Sequence, residues 1–148
     1  MAAIRPDAWN LPLLLHVAGA MLLVAALVVA LLAAGAALRR DEGTGGLARV
    51  AFRALLVGVL PSYLAMRVGA EWVRSEEGVG DDAAWVGIGY ATSDAGLLVA
   101  IIATLLAWRA SRRGPHAGRG LTGGVAVLSG VLLVAYAVTI WAMTAKPA

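Results

Sequence analysis

Four uninterrupted apolar runs, each long enough to cross a bilayer, constrain this 148-residue chain more than any other feature. They extend from about Leu11 to Leu38, Val50 to Val73, Trp85 to Trp108 and Leu121 to Met143. A helix rises about 1.5 Å per residue, so roughly 20 residues cover the hydrocarbon core. In hydrocarbon every peptide N–H and C=O must find a partner inside the protein, which leaves helices and closed barrels as the spanning solutions. Barrel strands alternate apolar and polar positions, whereas these runs are continuous and rich in Ala and Leu. The expected fold class is therefore all-α: a polytopic membrane protein, an antiparallel four-transmembrane-helix bundle forming a single domain over residues 1–148. The first run is long enough to require tilt or protrusion into the headgroups.

Composition agrees. Hydrophobic residues make up 61% and charged residues 14%, against about 45–50% and about 25% in soluble domains. Lipid, not water, is the expected solvent for most of the surface. The net charge of +3 would suggest nucleic acid in a soluble domain. Here the arginines fall in short gaps between apolar runs, so the basicity reads as a topology signal, with membrane lipids and not nucleic acid as partners. The absence of Cys removes disulfides, iron–sulfur clusters and thiol nucleophiles.

The first run is not read as a signal peptide, whose apolar centre is only 7–15 residues and follows basic residues. Here the basic pair, Arg39 and Arg40, comes after the run. The first loop carries Arg39, Arg40 and Arg49, and the third carries Arg109, Arg112, Arg113 and Arg119. The remaining segments outside the runs hold Arg5, Arg74 and Lys146. This bias places the first and third loops inside and both termini outside. The acidic second loop, from Arg74 to Asp82 with Glu76, Glu77, Asp81 and Asp82, is then external. Trp9, Trp72, Trp85, Trp108 and Trp141 fall at run ends, where an indole prefers the headgroup level.

Small residues recur at helical spacing: Gly87, Ala91 and Ala95; Gly96, Ala100 and Thr104; Ala126 and Gly130. Such rows let membrane helices approach closely. They are read first as packing surfaces within one bundle, with a dimer interface as the weaker alternative. Pro61 falls inside the second run, where it removes a backbone donor and implies a kink, with Ser62 and Tyr63 positioned to satisfy freed carbonyls.

Ionisable groups within apolar runs are costly and so informative. Measured from the nearest tryptophan, His16 lies roughly 10 Å deep, Arg67 roughly 7–8 Å and Asp94 roughly 13 Å. Tyr63, Tyr90 and Tyr136 fall in the same half. Asp94 shares a face with Gly87, Tyr90, Ala91 and Leu98, and is expected to point into the bundle. Arg67 shares one with Leu60, Tyr63, Glu71 and Arg74, and His16 with Gly19, Ala20, Leu23 and Leu27. Three such faces can converge on one polar pocket open to the outside. The residues leave three readings open. Asp94 and Arg67 can form a structural ion pair, with Glu71 a competing i,i+4 partner for Arg67. His16, Tyr63, Arg67, Tyr90, Asp94 and Tyr136 can bind a small polar or lipidic molecule, or relay protons. Haem or copper is the third: His16 is the only histidine within a run, His116 being in a loop, so a bis-His haem needs a second chain, and copper would need Met21 or Met66.

There is no P-loop: the stretch from Gly87 to Tyr90 reads GIGY inside an apolar run, without Lys. There is no HExxH and no GxSxG. The chain is accordingly not expected to be an enzyme, and no cofactor is assigned.

The histidine-bearing first helix (Leu14, Leu15, His16 and Gly19), the Arg pair after it, and the ending WAMTAKP from Trp141 to Pro147 resemble a family of uncharacterised bacterial four-helix integral membrane proteins. The resemblance covers most of the chain and implies a multi-pass protein of the bacterial plasma membrane. A more distant likeness, to copper-resistance D-type membrane bundles, rests on His16 and carries over neither haem nor copper. The function expected is a binding or accessory protein with an outward-facing pocket. The alternative is a homo-oligomeric small transporter or channel subunit with Asp94 as protonatable gate. A homo-oligomer or a membrane-protein partner fits either.

Overall fold

The computed structural model describes residues 10–39, 44–77, 84–113 and 115–145, and all but two of these are helical. The elements are α1 (Leu11–Arg39), α2 (Thr44–Arg53), a π turn (Ala54–Val59), α3 (Leu60–Glu77), α4 (Ala84–Arg112) and α5 (Pro115–Ala145). The chain is an antiparallel all-α bundle with four helices long and apolar enough to cross a membrane: Leu11–Arg39, Gly45–Glu76, Val86–Arg112 and Gly118–Ala145. The second of these runs through α2, the π turn and α3. Arg5, Trp9, Arg40, Asp81, Asp82 and Lys146 lie outside the described residues, as do the side chains of Glu77, Trp85 and His116.

The helices outrun the apolar stretches that announce them, the second by six residues at its start (Thr44 against Val50). Hydropathy marks where hydrocarbon begins, whereas a helix ends where its backbone finds caps. At α1 the cap is Asn10, whose side chain accepts from the Leu13 N–H at 3.3 Å and whose carbonyl accepts from Leu14 at 2.9 Å. At its far end Arg119 donates to the Leu38 carbonyl at 2.9 Å, a cation at the negative helix terminus.

Burial follows size more than polarity. The interior includes Ala30, Ala33, Ala34, Ala51, Ala100, Ala103 and Ala107, while Leu22, Leu32, Val57, Leu64, Leu98 and Val134 face outward. Lipid tails are as apolar as Leu, so helices gain by close contact between small residues, not by hiding large ones. Of the two rows on α4, Gly96, Ala100 and Thr104 are buried, whereas Gly87, Ala91 and Ala95 are exposed. The first row packs the bundle; the second does not.

Pro61 acts through the π turn. Its ring collides with the carbonyl four residues back, and it has no N–H to offer. The widened turn, in which the Leu60 N–H reaches the Leu55 carbonyl, accommodates both losses. The Tyr63 hydroxyl does not serve the freed carbonyls; it accepts a bond from Ser93 at 3.3 Å. On either side of the turn the span keeps different company. α2 packs on both α1 and α4, whereas α3 packs on α1 and barely meets α4.

Candidate functional site

We call the end of the bundle where α1 begins and α5 finishes the His16 end. There α3 is drawn tightly onto α1 by two reciprocal glycines. A Cβ on Gly19 would sit 2.5 Å from the Met66 amide nitrogen and 3.0 Å from the Ser62 carbonyl oxygen, and one on Gly69 would collide with the His16 backbone. This approach lets the His16 ring reach the Met66 carbonyl, Nδ1 to oxygen 3.0 Å. A carbonyl only accepts, so Nδ1 is the donor in this bond. α4 also packs closely on α5, but there the glycines receive side chains, Gly89 the Met143 methyl and Gly96 the Tyr136 hydroxyl.

Two tight helix pairs that barely meet along α3 and α4 leave a cavity between them of about 90 Å³. Its walls include Ala20, Leu23 and Val24 of α1, Met66 and Ala70 of α3, and Ile140 and Met143 of α5. Polar groups come from His16, Arg67, Tyr90, Ser93, Tyr136 and Thr139. Four of the six residues singled out from sequence, His16, Arg67, Tyr90 and Tyr136, therefore line one space. Tyr63 is buried beside it and reaches it through Ser93. The expected polar pocket is instead an apolar cavity edged with polar groups, because aliphatic and methionine side chains from three helices fill the gaps between them.

Asp94 corrects a second expectation. It does not point into the bundle: its side chain is 64% exposed, on the same outward face as Gly87, Ala91 and Leu98. The inward stripe of α4 runs instead through Val86, Gly89, Ser93, Gly96 and Ala100. Arg67 nevertheless reaches Asp94 from α3, at 3.4 Å, and its guanidinium lies at the same distance from Glu71. Both ion pairs anticipated for Arg67 thus coexist on one guanidinium. Its plane lies over the Tyr90 ring, 4.2 Å from the centroid. Arg74 lies 5.4 Å from that centroid and donates to the Tyr90 hydroxyl at 3.2 Å. A cation on an aromatic face gains most where water is excluded, so Tyr90 ties the charged cluster to the cavity edge.

The cavity residues that sequence reasoning missed include Gly89, Ser93, Thr139 and Met143, and Met66 was named only as a possible copper ligand. Each looks like ordinary membrane filler, and only the splay of α3 from α4 gives them a shared space. Met21, offered as a copper ligand beside His16, is 68% exposed on the outer surface of α1. Met66 does adjoin His16, but through its backbone oxygen.

Among the described residues the core of the opposite half is closely packed, and the groove there, along Leu31, Leu32, Gly35, Ala36 and Arg39, is lined by α1. Leu27, Ala30, Ala34, Leu55 and Ala103 are fully buried in that core, and the Thr104 and Thr122 hydroxyls bond to carbonyls one turn back in their own helices. Fold and site together define a four-span helical membrane protein with a polar-edged apolar cavity near one end. No protein-family model, curated protein or solved structure matches the chain. Of the family resemblance, the four-helix membrane architecture is what the structure bears out.

Proposed function

We propose that this chain is a membrane-embedded binding protein whose cavity receives the apolar part of a small amphipathic molecule while Arg67, Tyr90 and His16 engage its polar part. The observation that carries this reading is the joining of an apolar cavity to a charged, aromatic edge within one bundle half. Volume sets the scale. About 90 Å³ is well below the roughly 300–1,000 Å³ of a pocket for a drug-sized ligand. It exceeds the ~10–15 Å³ one water needs and falls short of the ~150 Å³ cavity that takes up benzene. The occupant is the end of a chain or a compact group, with the remainder lying toward lipid between α3 and α4.

The arginine bias between loops supports a bacterial plasma-membrane protein with the His16 end facing outward. Binding without turnover fits the groups present, since none of the cavity residues forms a nucleophile–base pair. The close-packed core of the opposite half, among the described residues, speaks against a conducting path through one chain, which sets this reading above a transporter subunit.

Native mass spectrometry of protein released from lipid nanodiscs tests the proposal. A retained amphipath is expected at about one per chain. Ala20→Phe, which fills the cavity, should remove it, and Val29→Phe on the lipid face should not. Equal retention by both variants would refute a cavity site.

A further inference from the structure

The Arg67–Asp94 pair is a better solution for a protein interface than for a lipid face. Asp94 lies five residues from the midpoint of the Val86–Arg112 span, about 7–8 Å along the axis. The hydrocarbon core extends about 15 Å either side of the bilayer centre, so the carboxylate is well inside it. Ionisable groups at such depth almost always face protein or a water-filled cavity. Asp94 faces outward instead, 64% exposed, and Arg67 remains 27% exposed beside it.

A second feature shares this face. Gly87, Ala91 and Ala95 form an exposed row at four-residue spacing. A Cβ on Gly87 would meet nothing within 4 Å, so packing inside this chain does not require a glycine there. Leu98, exposed, flanks the row. A row of this kind is the surface against which another membrane helix comes close.

We propose that the α4 face bearing Gly87, Ala91, Asp94 and Ala95 docks onto the same face of a second copy of this chain. The argument for a second copy is charge self-complementarity. Arg67, Glu71 and Arg74 on α3 and Asp94 on α4 form a cluster that is neutral as a whole. A two-fold axis at the edge of this face nearest α3 sets one such cluster against its twin, bringing each Asp94 carboxylate toward the other copy's guanidinium as well as its own. An isologous contact repeats the small-residue row on both sides, so the two α4 backbones approach through matching recesses. A different membrane protein would have to supply its own small row and its own neutral ion pair at the same depth. The proposal goes beyond ligand binding, since this face of α4 is turned away from the cavity wall.

The chain has no Cys, which makes site-directed crosslinking direct. In liposomes at dilute protein-to-lipid ratio, Ala91→Cys should crosslink to a dimer with a short bifunctional maleimide, and Val29→Cys should not. Single-molecule photobleaching should show two-step traces for the parent chain. Ala91→Ile should shift the dimer equilibrium at least tenfold toward monomer. Asp94→Asn, which keeps the side-chain shape, should shift it in the same direction while helical content stays unchanged. Single-step traces for the parent chain at every protein-to-lipid ratio would overturn the proposal, and would point to a different membrane protein on this face. A dimer that crosslinks through Val29→Cys but not Ala91→Cys would also overturn it.

Discussion

Gly69 and Gly19 are the positions at which one added methyl group should do the most damage. A Cβ on Gly19 lands 2.5 Å from the Met66 nitrogen and 2.9 Å from its Cα; one on Gly69 lands 2.9 Å from the Pro12 carbonyl oxygen. Ordinary carbon contacts sit at about 3.5–4.0 Å, so α1 and α3 must separate by about 1 Å. The obstructing atoms are backbone, and no flexible side chain can give way. Overpacking of this kind costs about 1–3 kcal/mol. The separation would also stretch the His16–Met66 bond from 3.0 Å beyond useful range, a further loss of about 0.5–1.5 kcal/mol. Gly69→Ala and Gly19→Ala are each expected to destabilise the protein by about 2–4 kcal/mol, measured by denaturant titration of the helical signal in mixed micelles. The two share one interface, so the double variant should fall short of the summed losses by about 1 kcal/mol or more. Gly35→Ala is the control: nothing lies within 4 Å of its added Cβ. It should be neutral or gain up to about 1 kcal/mol from the better helix former. A Gly69→Ala protein as stable as the Gly35→Ala protein would refute the close crossing, and with it the placement of His16 at the cavity.

Two further substitutions probe the scaffold around the site. Ser129 is fully buried and its hydroxyl has no hydrogen-bond partner among the described residues; Ser129→Ala should raise stability by about 1–3 kcal/mol, and a loss of about 1 kcal/mol or more in the same titration would mean the hydroxyl is satisfied. Pro61→Ala restores one backbone donor while Gly19 and Gly69 still hold α3 on α1, so unfolding should show a change between zero and about 1 kcal/mol in favour of the variant; a loss above about 1 kcal/mol would mean that the proline ring itself supports the π turn.

The architecture was legible because length and continuity of apolar residues suffice for a membrane helix. Which way each helix faces was much less so, and α4 shows why. In a soluble helix polarity separates inside from outside, but on α4 both sides are apolar and only side-chain size differs. Gly87, Ala91 and Ala95 look as well suited to packing as Gly96, Ala100 and Thr104, yet only the second row is buried. Asp94 was assigned to the interior for the sound reason that hydrocarbon penalises a carboxylate. It escapes that assignment because Arg67 extends to it from α3.

The cavity has a different origin: the polar residues at its edge are visible in the sequence, but the space between them is not. It depends on Pro61, about a turn before the first α3 residue to line the cavity, and on two glycines that act on the far side of α3. The π turn gives way to a helix that leaves α4, the glycines draw that helix onto α1, and the space left over falls between His16, Tyr90 and Tyr136. The sequence brings those side chains together by depth, three ionisable groups and three phenols at one level being unusual in hydrocarbon, and by shared helix faces, of which the one assigned to Asp94 turns outward. Depth is one coordinate and facing is the other. In a membrane bundle the second is set by where backbones can touch, so the glycines, more than the charges, decide what shares a cavity.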